Sequence, residues 1–345
     1  MRLLFVPVSA PQGTGEYARS LAIASAAATR WPEAEIHFVL NRHAPYAGDV
    51  PFPATLLPSS PTFHPTEVSS LIRDMRPDLV LFDNAGRTAQ IRAAREIGAR
   101  VVYVSSRPRQ RRKAFRLRWM RVLDEHWIAC PEFIAGALDP VERLKLRWFP
   151  HPRVRYLDTV IAHESPGDSA AAFSHIGVTP QQFVLVVPGG GTVHRGRGNG
   201  PEVMAAAAAG IASPHCAALV IGGPPRRIEP HVHHVPWIPM AQLASLMRRA
   251  RLVLTNGGDT MLQALACEGV CVAAALAQDQ AHRIARCSAQ GLVTGERLDA
   301  SALTNTARAL LQDEARRNRQ LERVKQCPID NGLETALDAI SRLLH

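Results

Sequence analysis

LVLTNGGDTMLQALACEGVCVAAALAQDQAH, residues 252–282, spells out one complete folding unit in the order of its residues. The apolar run 252–255 stops at Asn256-Gly257-Gly258. Asp259-Thr260 then opens a segment with Met261, Leu262, Leu265 and Ala266 at helical spacing, which predicts strand, glycine turn and helix. Glu268-Gly269 ends the helix, and 270–274 (VCVAA) is short and apolar enough for a buried second strand. Such a βαβ unit aims bare backbone N–H groups and the positive end of a helix dipole at one spot, which suits a diphosphate. Glycines at 257 and 258 let a ligand approach without a Cβ in the way. The same pair equally serves a plain tight turn in an α/β domain.

The pattern recurs along the chain. Residues 3–8 (LLFVPV) read as a strand, followed by a loop with Gly13 and Gly15 and an alanine-rich helix over 16–29. Strands are expected at 35–40, 78–83, 100–105, 125–130 and 153–161, with helices over 67–75 and 88–97; the proline-rich span 41–65 has room for one short strand. Residues 163–168 (HESPGD) have a linker's composition. A second alternating series follows, with strands at 183–187, 217–221 and 233–235, a glycine loop at 188–196, and a last amphipathic helix over 333–344. Alternation of this kind implies parallel sheets covered by helices on both faces. The expected fold is therefore α/β with two Rossmann-like domains, 1–162 and 163–345, the final helix being free to pack back on the first.

Asn256-Gly257-Gly258-Asp259-Thr260-Met261-Leu262-Gln263, followed by Gly269, by Gln278-Asp279-Gln280 and by His282, resembles the donor-site signature of the family-28, MurG-like glycosyltransferases. Gly13-Thr14-Gly15-Glu16-Tyr17-Ala18-Arg19 resembles the GxGHxxR loop of the same proteins and of a related nucleotide-sugar hydrolase, with Glu16 where the histidine stands. The resemblance implies a GT-B architecture, in which the two domains face each other across a cleft with donor and acceptor on opposite walls. It implies that the small residues and Thr260 hold the donor diphosphate and that Gln263 occupies the place of the acid that takes the ribose hydroxyls. It further implies that Asp279 and Gln280 meet the sugar and that Trp237 or Met240 lies near the nucleobase.

Transfer from a nucleotide sugar requires stabilising a leaving diphosphate and deprotonating an acceptor hydroxyl. For the first task the chain offers two glycine loops, Gly189-Gly190-Gly191-Thr192 and 256–260, with Arg195 as a cation. No DxD motif is present, so no metal is expected and helix termini with arginine take its place. For the second, Glu16 at the first glycine loop is the leading candidate base and Asp83 at a strand end the other. His231 and His233 alternate along a presumed strand while His234 points the opposite way, so three convergent metal ligands are not expected. The expectation is an inverting, metal-independent glycosyltransferase moving a sugar from a UDP-linked donor, with no separate cofactor, to a cell-envelope glycan or lipid-linked acceptor. The alternative is a nucleotide-sugar hydrolase of the same fold.

Net charge is +10, and eight basic residues without an acid lie in 107–121, RPRQRRKAFRLRWMR. Phe115, Leu117, Trp119 and Met120 interleave with these charges, which suits contact with an anionic membrane surface; a solvated helix face and a clamp for a phosphorylated acceptor fit equally. The segment has no nucleic-acid-binding motif, and nucleic acid is not an expected partner. Six cysteines without a CxxC pair predict neutral thiols. No long apolar stretch predicts a membrane span and the first residues lack signal-peptide features. The expected location is the cytoplasm, peripheral on the inner face of the membrane.

Overall fold

The computed structural model describes residues 1–345 except 11–12, 150, 175, 190–198, 223–228 and 236, and the side chains of 166 and 169. The chain forms two compact units, Met1–Val160 with Asn331–His345 (unit 1) and Ile161–Asp330 (unit 2).

Among the described residues unit 1 is built on seven strands: β1 Arg2–Pro7, β2 Glu35–Asn41, β3 Ala54–Leu57, β4 Leu79–Asp83, β5 Arg100–Ser105, β6 Glu125–Ile128 and β7 Arg153–Tyr156. They lie in the order β3-β2-β1-β4-β5-β6-β7, every pairing parallel. Leu79, Val80, Leu81 and Phe82 of β4 are all 0 % exposed, as a central strand covered on both faces requires. The order steps outward one way from β1 and the other way from β4, so the chain reverses between them. At such a reversal the connections after the two strands leave to opposite faces and open a crevice at the carboxyl ends. The helix Leu333–Leu344 completes this unit: Leu333, Ala336, Leu337, Ala339 and Ile340 are buried, and Arg30 pairs with Asp338 at 2.8 Å.

Among the described residues unit 2 has six strands: β8 Phe183–Val187, β9 Ala217–Ile221, β10 Val232–Val235, β11 Leu252–Asn256, β12 Cys271–Ala274 and β13 Thr294–Glu296. Their order is β10-β9-β8-β11-β12-β13, again parallel throughout, with the reversal between β8 and β11. Three features of this unit go beyond the expectations. Gln278-Asp279-Gln280 forms the first turn of a helix, Gln278–Ala289. The stretch with a linker's composition already enters a helix at Pro166. The short β13 has no apolar run to announce it; a Cβ at Gly295 would stand 2.8 Å from Ile284, so a small residue replaces the usual strand former.

The basic segment folds as two short helices, Pro108–Ala114 and Leu117–Met120. Its apolar residues do not line a membrane-facing surface. Phe115, Trp119 and Met120 are 3 %, 3 % and 1 % exposed, Trp119 meets Tyr103 edge-on at 5.0 Å, and only Leu117 is left outside. Among the described residues no helix is long and apolar enough to cross a membrane.

One buried base in this unit has a pH consequence. His126 is 0 % exposed between Tyr103 and Phe115, with Nε2 2.8 Å from Ser105 Oγ. Burial, then the Arg111 charge, lower its pKa to about 3. The unfolded chain takes up a proton below its ordinary value of about 6.5 and the folded chain does not, so stability is full above that pH and falls as pH drops. Between pH 7 and pH 5 the loss from this group is about 2 kcal/mol. Urea midpoints at the two pH values, in wild type and His126→Gln, check it: the fall should be smaller in the variant.

Candidate functional site

Each reversal point gathers polar side chains. In unit 2, Asn256 is the last residue of β11 and 7 % exposed. Its Nδ2 donates to the Pro188 carbonyl at 2.6 Å, and its Oδ1 accepts from the Gly258 amide at 2.6 Å. Thr255 Oγ1 donates to the Val187 carbonyl at 2.7 Å. These bonds tie the loop after β8 to the loop after β11. Both loops need bare backbone: Gly189 has φ +79° and a Cβ on it would overlap Asn256 Nδ2, while a Cβ on Gly258 would lie 2.6 Å from Asn256 Oδ1. Gly257 is equally confined, with Ile284 at 2.7 Å and the Gln280 carbonyl at 2.8 Å from the place of a Cβ.

Gly258 is the N-cap of the helix Asp259–Ala266, and no side chain caps it. The Met261 amide bonds back to the Gly258 carbonyl at 3.2 Å. Thr260 and Gln263 are half-buried on this helix. Gln280 Oε1 accepts from the Leu276 amide at 2.8 Å, and its Nε2 comes within 3.7 Å of the Cβ position of Gly258. Asp279, one residue earlier, is exposed. Of the expected donor residues the structure therefore brings Asn256, Gly257, Gly258, Asp259, Thr260 and Gln280 together. Gly190, Gly191, Thr192 and Arg195 lie outside the described residues. Trp237 stands at the end of the edge strand β10 with 58 % of its surface exposed. Met240 is half-buried, and its sulfur accepts from the Ala162 amide at 3.3 Å.

Asp259 would oppose an anion if its charge stood alone. Arg283 Nη1 instead lies 3.1 Å from Asp259 Oδ1, with the arginine side chain 9 % exposed and the carboxylate 25 %. This cation was not legible in the sequence as part of the site, because no helix was expected over Gln278–Ala289, the element that delivers it.

In unit 1 the reversal falls between β1 and β4. Glu16 lies in the first turn of the helix Gly15–Arg30, half-buried, after the loop with Gly13 and Gly15. Asn84 follows β4 with φ +52°, a left-handed conformation that asparagine tolerates. Its Nδ2 donates to Glu16 Oε1 at 3.0 Å and to Ser106 Oγ at 2.6 Å, while its Oδ1 accepts from the Ser106 amide at 3.0 Å. The amide thus fixes one oxygen of Glu16, and among the described residues nothing bonds the other. Nearby, Tyr17 and Tyr46 stack with centroids 3.8 Å apart and Tyr46 OH lies 3.0 Å from Ser9 Oγ. Burial, with the Glu16 charge adding and the Ser9 bond opposing, pushes the Tyr46 phenol up to about 12, so it stays a neutral hydroxyl. Neither Asn84 nor Ser106 was expected here; the polar pair Asp83-Asn84 closing the apolar run 79–82 was the available signal.

Asp83, the other candidate base, is 0 % exposed. Arg19 grips it with Nε–Oδ2 at 2.8 Å and Nη2–Oδ1 at 2.7 Å, and Ser20 Oγ is 3.5 Å away. Both of its oxygens are engaged, as in a structural ion pair rather than a proton acceptor. His231 precedes β10 in a left-handed conformation, and among the described residues no group of three metal-binding side chains assembles.

No protein-family model matches the sequence, and no curated protein matches it. Solved structures resemble it over its whole length. The calicheamicin glycosyltransferase CalG4 superposes with a TM-score of 0.65 at 18 % identity, covering 99 % of this chain and 98 % of its own. The spinosyn rhamnosyltransferase SpnG, complexed with thymidine diphosphate, gives 0.62 at 14 % identity, with 98 % and 100 % covered. A candidate UDP-N-acetylglucosamine 2-epimerase from Listeria monocytogenes gives 0.61 at 13 % identity, with 99 % and 94 % covered. The chain therefore has the GT-B fold, two parallel-stranded α/β units with flanking helices.

Proposed function

We propose that the protein is an inverting, metal-independent glycosyltransferase of the MurG-like type, using a UDP-linked sugar and an acceptor from the cell envelope on the cytoplasmic side. The observation that supports it most is the Asn256 knot. The residues that resemble a nucleotide-sugar signature occupy the chain-reversal point of unit 2, where Asn256 ties the end of β8 to the turn after β11 beside the start of a helix. Arg283 supplies positive charge beside them, already balanced by Asp259 in the free protein. Trp237 comes two residues after β10, the strand two places from β8 and about 10 Å across the sheet, a nucleoside's span from a diphosphate held at the knot. In unit 1, Glu16, oriented by Asn84, accepts the acceptor's hydroxyl proton. The likeness of the fold to proteins named as glycosyltransferases agrees with this reading.

The same fold in a candidate epimerase shows an architecture shared beyond transferases, and the second reading is a nucleotide-sugar hydrolase, which transfers the sugar to water. Mass spectrometry after incubation with a panel of nucleotide sugars, with and without lipid extract, separates them. New glycoside only with extract supports transfer. Free sugar or free nucleotide in buffer alone supports hydrolysis.

The donor assignment has its own check. UDP should bind Gly258→Val at least about tenfold more weakly than wild type, because a side chain there obstructs approach to the amides. The clash with Asn256 also disturbs the turn itself, so Thr260→Val, which preserves shape and lies off the turn, is the companion variant. Calorimetric titration of both with UDP, at unchanged melting temperature for Thr260→Val, should show weakening in each. Unaltered affinity in both removes the assignment.

A further inference from the structure

Ser106, held by Asn84, leads directly from Glu16 into the most basic part of the chain. On the helix Pro108–Ala114, Arg109 and Lys113 are four residues apart and share a face, and Arg116 follows where the next helix begins. Trp119 Nε1 donates to Thr88 Oγ1 at 3.0 Å, which seats that second helix against the start of Thr88–Glu96. Arg87, immediately before, is fixed by its Nε bond to the Thr62 carbonyl at 3.0 Å. Arg87, Arg109 and Arg116 therefore surround Lys113, which is half-buried. Burial first, then these three like charges, lower its pKa. Among the described residues none of the four cations has a carboxylate in an ion pair. The contrast with their neighbour Arg111 is sharp: it turns inward, bonds Glu142 at 2.6 and 3.2 Å, and caps the carbonyls of Ala135, Gly136 and Ala137.

Four cations gathered without a counter-charge, one of them withdrawn from water, repel one another in the free protein. An anion bound among them removes that repulsion. A carboxylate has two oxygens and one charge, whereas a phosphate monoester offers three oxygens and about −1.5 to −2 charges, which suits several separate cations. We propose that Arg87, Arg109, Lys113 and Arg116 form a phosphate-ester site at the carboxyl end of β4 and β5, holding the anionic group of the acceptor whose hydroxyl is presented to Glu16. The word acceptor rests on the glycosyl-transfer reading; the phosphate site does not. The phosphate reaches it either on a soluble saccharide or on a lipid.

Phenyl phosphate, titrated calorimetrically at low salt, tests the site. Wild type should bind it, and binding should weaken at least about tenfold in Arg109→Ala/Arg116→Ala, whose residues are both exposed, and in Lys113→Met. UDP affinity should be unchanged in all of them. Retention on vesicles containing phosphatidic acid, whose headgroup is a phosphate monoester, that the double variant loses assigns the phosphate to a lipid, and phenyl phosphate binding without retention assigns it to a soluble saccharide. Wild type that binds neither probe overturns the site, as does equal binding by wild type and both variants. Phosphate binding that survives in a protein inert towards every nucleotide sugar would remove the transferase reading and leave this site standing.

Discussion

Glu16→Gln should lower turnover by about 10²-fold or more while leaving UDP affinity and melting temperature close to wild type. The substitution is nearly isosteric, and a glutamine oxygen can still accept from Asn84 Nδ2, so the hydrogen-bonded arrangement of Glu16, Asn84 and Ser106 persists. What disappears is an oxygen able to take a proton. Donor affinity is spared because the residues assigned to the diphosphate belong to unit 2. Saturating kinetics with the donor found in the nucleotide-sugar panel, together with UDP titration, provide the measurement. A turnover number within a few-fold of wild type would strip Glu16 of its role and leave it a helix-end charge.

Asp83→Ala should behave in the opposite way. Removing one partner of a buried, hydrogen-bonded ion pair leaves the other charge uncompensated and costs about 3–5 kcal/mol. Arg19, with 5 % of its side chain exposed, has no solvent to fall back on. Urea denaturation should show a loss of that size, while turnover per folded molecule remains near normal. Replacing the pair together, Asp83→Leu with Arg19→Met, should recover most of the stability, since apolar residues of similar size can fill such a place. Lost turnover in a stable Asp83 variant would reverse the assignment of the two carboxylates.

The chain's periodicities made the two parallel sheets legible. Runs such as 183–187 and 252–254 are apolar at every position, which only a strand covered on both faces needs, and the glycines that follow fall at strand ends. Helical spacing over 333–344 likewise marked the last helix, whose buried face is Leu333, Ala336, Leu337 and Ile340. Side-chain partnerships across strands were not legible in this way. Asn84 and Glu16 are 68 residues apart, and nothing local announces that one amide will orient the other. Arg283 was hidden because Gln278-Asp279-Gln280 lacks apolar periodicity, although its helix buries Ile284 and Cys287. The basic segment misled in the other direction. Its aromatic residues looked available to a membrane, but Tyr103 and Thr88 on distant elements claim Trp119.

The return of Asn331–His345 to unit 1 has a consequence for how the protein is made. Unit 2 is one continuous stretch and can fold as soon as it has left the ribosome. Unit 1 is synthesised first yet completed last: until Leu333–Leu344 emerges, the surface beside the helix Gly15–Arg30 that the last helix covers stays open to water. A nascent chain stalled before residue 331 would therefore display an apolar face that invites chaperones. For the same reason 161–330 is the segment to express alone, whereas 1–160 needs the last fifteen residues supplied, for instance by joining 331–345 to its start as a circular permutation.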